Sequence, residues 1–125
     1  MKKIFTSNAP AAIGPYSQAM LVGNLVYTSG QIPINPESSS IEVSTIEEQT
    51  EQVCKNLQAV LEAAGSSIDA VIKTTCFLCD MADFAAFNSV YAKHFTSCPA
   101  RSCVAVKSLP KGSLVEIEAI AELVK

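Results

Sequence analysis

Charge is scarce in this chain. Only 17% of its 125 residues are Asp, Glu, Lys or Arg, against about 25% in an ordinary soluble domain, while 49% are hydrophobic. A small chain has much surface to cover, so this shortage implies surface buried against partners, with a homo-oligomer as the natural form. Tryptophan is absent, histidine occurs once (His94), and arginine occurs once (Arg101). There is no basic block and no interleaving of basic with aromatic residues. With a net charge of −3, little could neutralise phosphates, so no nucleic-acid partner is expected. No run approaches the roughly 20 apolar residues of a membrane span. Met1-Lys2-Lys3-Ile4-Phe5-Thr6-Ser7 carries two lysines with no apolar segment behind them, so no secretory leader and no membrane partner is expected. Five cysteines, an odd number without an export signal, indicate reduced thiols and a cytoplasmic protein. The length suits one domain, residues 1–125, which can bury a core without disulfides or a structural metal.

The punctuation of the chain gives the elements that are present. Lys3–Thr6 reads as a short strand, and Asn8–Tyr16, with two prolines and a glycine, as a fixed loop. Ser17–Val22 and Leu25–Ser29 form a hairpin across Gly23-Asn24, two residues that tolerate positive φ. Asn35–Ser40 reads as a polar connector. Ser44 and Glu47 have the spacing of a capping box, and Ile46, Thr50, Val53, Cys54, Leu57, Val60, Leu61 and Ala64 form one helical stripe closed by Gly65. Val71–Leu78 is a buried strand. Asp80 opens a second helix running to about Phe95, with Phe84, Phe87, Asn88, Tyr91 and Phe95 on one side. Arg101–Val106 and Leu114–Leu123 are strands joined through Pro110-Lys111-Gly112. The fold class is α+β, with both helices on one face of a mixed sheet.

Several arrangements offer chemistry. Arg101 stands after a proline and before an apolar run, and its guanidinium can grip a carboxylate or phosphate bidentately, as lysine cannot. Alternation places Arg101 and Cys103 on one face, and Glu116 and Glu118 on one face about 6.6 Å apart. If the strands of Arg101 and Glu116 pair, cation and carboxylate come together. Two readings then fit: a structural ion pair, or an anion-binding arginine beside a carboxylate that positions water. A glycosidase pair of Glu116 and Glu118 fits poorly in so short a chain without a tryptophan platform, and Glu-Ile-Glu in an edge strand is a common solvated face. Cys76-Phe77-Leu78-Cys79 has zinc-ligand spacing, but strand residues three apart point to opposite faces, so small buried hydrophobes are the expected reading. Cys103 could have its thiol pKa lowered by Arg101, but a nucleophile wants a base, and His94 lies among aromatics as a surface or boundary residue. Tyr16 could donate into a site or only pack, and Gly30 could admit a ligand or only end its strand. No phosphate loop and no dinucleotide fingerprint is present.

The segments Asn8–Gln18, Thr28-Ser29-Gly30-Gln31-Ile32-Pro33, Ala63-Ala64-Gly65, Val71–Thr75, Pro99-Ala100-Arg101-Ser102 and Leu109–Gly112 with Glu116–Ala121 resemble, in order, the Rid family of reactive intermediate (imine) deaminases, also called YjgF or liver perchloric-acid-soluble protein. The resemblance covers nearly the whole chain. It implies a chorismate-mutase-like fold and a homotrimer with active sites at the subunit interfaces. It also implies hydrolysis of 2-imino acids (2-iminobutyrate, 2-iminopropionate) to 2-keto acids and ammonia, with no cofactor and no metal. Arg101 would hold the substrate carboxylate and Glu116 would position the attacking water. Cys103 would offer mainly backbone groups, Tyr16 and Ser29-Gly30 would line the cleft, and Asn88 would lie near its edge. Glu118 is left as a structural neighbour. Thr96-Ser97-Cys98 is shorter than in some members, and the Pro36–Ser44 connector lacks a glycine often found there; neither is expected to touch the motif residues. Two other functions accompany the resemblance: an endoribonuclease or translation inhibitor, as some relatives are labelled, and a non-enzymatic small-acid-binding or chaperone-like module.

Overall fold

The computed structural model describes residues 1–124. In chain order its strands are β1 (Lys2–Ile4), β2 (Ala19–Val22), β3 (Leu25–Thr28), β4 (Ile34–Asn35) and β5 (Ser40–Ile41), then helix α1 (Ile46–Ala63) and strand β6 (Val71–Leu78), then α2 (Phe84–His94), β7 (Ala100–Ala105) and β8 (Val115–Glu122). The expected stripe of α1 is the buried one: Val53, Cys54, Leu57, Val60 and Leu61 have no exposure to solvent. Gly65 takes φ 88° just beyond the helix, a left-handed conformation that glycine adopts without a Cβ clash. The cap falls one residue later than the Ser44–Glu47 box. Thr45 Oγ1 accepts the Glu48 N–H at 3.1 Å and donates to Glu48 Oε1 at 2.9 Å. Both pairs have the same spacing, and Gln49 favours the later one. Its buried side chain donates to the Val43 carbonyl (3.0 Å) and accepts the Leu114 N–H (2.8 Å), which ties down the chain just ahead of the helix.

Six strands form one mixed sheet in the order β1-β2-β3-β8-β6-β7, with β6 and β7 parallel and every other pair antiparallel. The β2–β3 hairpin turns at Gly23-Asn24 as expected, but only Gly23 (φ 60°) takes positive φ. The stretch read as a polar connector is a small hairpin of its own, β4 with β5. The second helix starts later than Asp80. Asp80 caps a 3-10 turn at Met81–Asp83, accepting the Ala82 N–H at 2.9 Å, and α2 follows from Phe84.

The position of β8 overturns an expectation. Its Glu-Ile-Glu motif is not on an edge: β8 lies between β3 and β6, at the centre of the sheet. Val115, Ile117, Ala119 and Ala121 enter the core shared with both helices, and Glu116, Glu118 and Ile120 project from the other face. Among the described residues no helix covers that other face. It carries Val22, Tyr27 and Val104, each more than two-fifths exposed. Polar groups inside the fold are satisfied by buried amides. Asn56 donates to the carbonyls of Ile32 (3.0 Å) and Ile34 (2.9 Å), which locks the segment after β3 onto α1. His94 sits at the boundary between the helices, 2.8 Å from Glu51. Among the described residues no helix is long and apolar enough to cross a membrane.

Candidate active site

Arg101 and Glu116 do not meet within one chain. Strand β6 lies between theirs and pairs with both: Arg101 is opposite Thr74 on β6, and Glu116 is opposite Phe77. The connection from β7 to β8 therefore passes over the end of β6, where Val106 N–H donates to the Leu78 carbonyl (2.8 Å) and Cys79 N–H to that of Leu114 (3.2 Å). The two side chains also leave the sheet on opposite sides. Arg101 reaches up to α2, and Glu116 projects from the bare face. The expected cation–carboxylate contact is thus absent, and so is the structural ion pair. Among the described residues Arg101 has no carboxylate partner.

The surroundings of Arg101 replace that partner. Its Nη1 donates to Asn88 Oδ1 at 2.7 Å. Its guanidinium carbon lies 4.8 Å from the ring centre of Tyr91, 5.5 Å from Phe84 and 5.9 Å from Phe87, within the reach of cation–π attraction. A cleft of about 510 Å³ opens beside it, with Asn88, Tyr91 and Pro99 in its walls. Thr96 and Cys98 also line it, so the segment expected to lie clear of the motif residues borders Arg101. Cys98 holds φ 54° there, a conformation that costs a residue with a Cβ roughly 1–2 kcal/mol. The expected effect of Arg101 on Cys103 is outweighed: burial pushes this thiol up, and the nearby cation only partly opposes it. Arg101 therefore does not activate the Cys103 thiol. The zinc-like spacing dissolves in the same way. Cys76 is buried with its thiol pushed up to about 12, chiefly by desolvation, and Cys79 donates to the Ser113 carbonyl (3.0 Å).

Glu116 has a cleft of its own, about 450 Å³, shared with Tyr16, Ser29, Gly30 and Lys111. The loop that walls it is built on Gln18, whose buried amide donates to the carbonyls of Thr6 (3.0 Å) and Pro10 (2.8 Å) and accepts the Thr6 N–H (2.7 Å). Ser29 closes the loop from the other side, its hydroxyl donating to the Ser17 carbonyl (2.5 Å). Gln31 exchanges two backbone hydrogen bonds with Ile117 (2.8 and 3.1 Å), which holds Gly30 directly over Glu116. The Glu116 side chain fills the space a Gly30 side chain would need: its carboxyl carbon is 2.7 Å from the position of a Cβ there. Gly30 thus leaves room for this placement of the Glu116 side chain, and neither of the two sequence readings of it named that cause. Gln18 and Gln31 gave no sequence signal either, since a buried amide looks like any surface glutamine until the loop closes on it.

Burial, and secondarily Glu118 on the same face, raises the Glu116 carboxyl above its ordinary range. A raised acid binds its proton more tightly in the folded than in the unfolded state. Its stabilising contribution is complete below the unfolded value and is lost as pH rises through the folded one. Thermal melts of wild type and Glu116→Gln between about pH 4 and pH 7 should show the variant gaining relative stability toward neutral pH, and Glu118→Gln should shrink the difference. Parallel melting curves would contradict this assignment of Glu116.

The mixed sheet with two helices on one face is the α+β fold of the solved YjgF gene product of E. coli, with a TM-score of 0.93 at 46% identity, covering 98% of each chain. The family described as Endoribonuclease L-PSP matches residues 6–123, and the chain belongs to it. A RutC family protein of Pyrococcus horikoshii is 56% identical over 119 residues, spanning 94% of each chain. The 2-iminobutanoate/2-iminopropanoate deaminase of Escherichia coli K12 is 48% identical over 124 residues, spanning 96% of each. Among solved structures, Escherichia coli TdcF with bound serine superposes with a TM-score of 0.94 at 43% identity, covering 99% of this chain and 100% of that one. The names across the family differ, deaminase and endoribonuclease among them.

Proposed function

We propose that the chain hydrolyses 2-imino acids such as 2-iminobutyrate and 2-iminopropionate to 2-keto acids and ammonia, as a cytoplasmic homotrimer of single-domain chains. The observation that carries this reading is the placement of the lone arginine and of Glu116 on opposite faces of one sheet. Among the described residues neither the half-buried Arg101 nor the half-buried Glu116 makes an ion pair. Each needs what the other end of an imino acid offers, so the reaction fits a seam where the Arg101 side of one copy meets the bare sheet face of the next. The apolar side chains on that face, Val22, Tyr27 and Val104, suit burial against a neighbour. The 48% identical deaminase supports the same chemistry.

In this scheme Arg101 holds the substrate carboxylate and fixes the imine carbon opposite Glu116. A protonated imine is already electrophilic, so orientation supplies much of the rate. The Glu116 carboxylate accepts a proton from water as the oxygen adds to the imine carbon, giving a carbinolamine. Returning that proton to nitrogen lets the C–N bond break with release of ammonia, and the remaining hydroxyl proton leaves as the carbonyl forms. No bond to the protein is made, in keeping with Cys103 as a neutral thiol.

The test mixes two inactive proteins. Ammonia release from imine generated in place by an amino-acid dehydratase is measured for Arg101→Ala, for Glu116→Ala, and for the two after subunit exchange. Each variant alone should be inactive. Random trimers of the two should recover about a quarter of wild-type activity, because one seam in four joins an intact arginine to an intact glutamate. Exchange without recovery would refute a shared seam, and a wild-type protein that does not accelerate ammonia release would refute the chemistry.

A further inference from the structure

The guanidinium of Arg101 is held by more than Asn88. Tyr91 on α2 lies with its ring 4.8 Å from the guanidinium carbon, and Phe95 stacks on the same ring at 4.3 Å with an interplanar angle of 21°. The Tyr91 hydroxyl is 2.7 Å from the hydroxyl of Thr74. Thr74 is fully buried and is the residue of β6 that pairs in register with Arg101 of β7. Arg101 is therefore fixed twice to the same point of the sheet, once through its own backbone and once through Thr74, Tyr91 and the ring face. A buried hydroxyl pair costs free energy unless both members are satisfied. A phenylalanine packed against a valine would fill this space without that demand. A core position with no site to serve would be simpler without the pair.

We infer that Tyr91, pinned by Thr74, is a positioning residue for Arg101: it sets the plane of the guanidinium so that the N–H groups left over from Asn88 face the open cleft. The inference rests on the reading that Arg101 binds the substrate carboxylate, and it names the device that makes that binding directional. An arginine carries many rotamers, and an unrestrained one loses that freedom on every binding event. A ring face 4.8 Å away and a hydrogen bond at one corner remove much of the freedom in advance. Asn88 alone fixes one nitrogen and leaves the plane free to swing about it, and the ring supplies the missing restraint.

The test measures binding rather than turnover. Calorimetry gives the Kd of 2-oxobutanoate and of its uncharged amide, 2-oxobutanamide, for wild type, Arg101→Lys, Tyr91→Leu, Tyr91→Phe, Thr74→Val and Thr74→Ser. Each variant is held at a temperature where its circular dichroism is that of the folded protein. Arg101→Lys should weaken binding of the acid about 100-fold while leaving the amide nearly unchanged. Tyr91→Leu should weaken the acid about tenfold, and Tyr91→Phe and Thr74→Val about threefold each. None of these should affect the amide. Thr74→Ser, which keeps the hydroxyl, should restore wild-type binding. A purely structural role predicts equal losses for acid and amide, or losses only in melting temperature, and either overturns the inference. If Tyr91→Leu does not fold, the phenylalanine and valine variants decide by the same ratio. An Arg101→Lys protein that binds the acid as wild type does would refute the carboxylate reading itself. Loss in Arg101→Lys with no loss in any Tyr91 or Thr74 variant would refute only the inference.

Discussion

Replacing Arg101 by lysine should reduce kcat/KM for 2-iminobutyrate about 100-fold and leave the melting temperature within a few degrees of wild type. Lysine keeps the charge but loses the planar fork. With Asn88 already holding one nitrogen at 2.7 Å, a single ammonium cannot serve both the asparagine and a carboxylate with two oxygens. A hydrogen bond between charged groups contributes about 1.5–3 kcal/mol, and the loss of one such bond with its alignment corresponds to the stated factor. In the proposed scheme Arg101 anchors the substrate carboxylate throughout, so most of the loss should appear in KM. Stability should change little, because Arg101 makes no ion pair among the described residues that lysine would forfeit. A lysine variant as active as wild type would show that the arginine does not bind the substrate.

Gly30→Ala should have a comparable effect by a different route. Gly30 is not among the glycines with positive φ, so its backbone accepts alanine. The obstacle is the Glu116 side chain, which occupies the space of the new methyl group. A glutamate side chain can rotate away, so the fold should survive within about 1 kcal/mol. The Glu116 carboxylate, proposed above to align water, would be displaced, and a misplaced general base forfeits about 10²–10³-fold in rate. Here the loss should fall on kcat, with KM for the imino acid nearly unchanged, opposite to the lysine variant at Arg101. The double variant Gly30→Ala, Glu116→Gln should be no worse than Glu116→Gln alone, since both remove the same group. An additive double variant would mean that Gly30 acts through something other than Glu116.

The contrast between these two substitutions marks what the sequence could convey. Local signals read correctly: the stripe from Ile46 to Leu61, the turn at Gly23, the stop at Gly65 and the strand Val71–Leu78 each depend on neighbours within a few residues. Strand pairing does not. Nothing local to Arg101–Val106 or Leu114–Leu123 says that they are separated by β6, and a short linker made a hairpin the natural expectation. The error passed directly into the chemistry, because it placed Arg101 next to Glu116 when the sheet divides them. The resemblance, not the spacing, is what implies a site shared between subunits. Causes at single residues were the least legible. The space Glu116 takes over Gly30, the loop gathered around Gln18, and the Thr74–Tyr91 hydroxyl pair all join residues from distant parts of the chain, and each looks ordinary in its own segment.

The central place of β8 has a consequence for how the molecule comes into being. The ladder β1-β2-β3 and the pair β6-β7 touch each other through no strand but β8, which leaves the ribosome after all of them. Until β8 is available, no strand can join the two halves of the sheet. Val115, Ile117, Ala119 and Ala121 are the apolar side chains that then drop beneath the helices. The strand that joins the two halves also carries Glu116, so a chain cut short before β8 would lack both the join and that carboxylate.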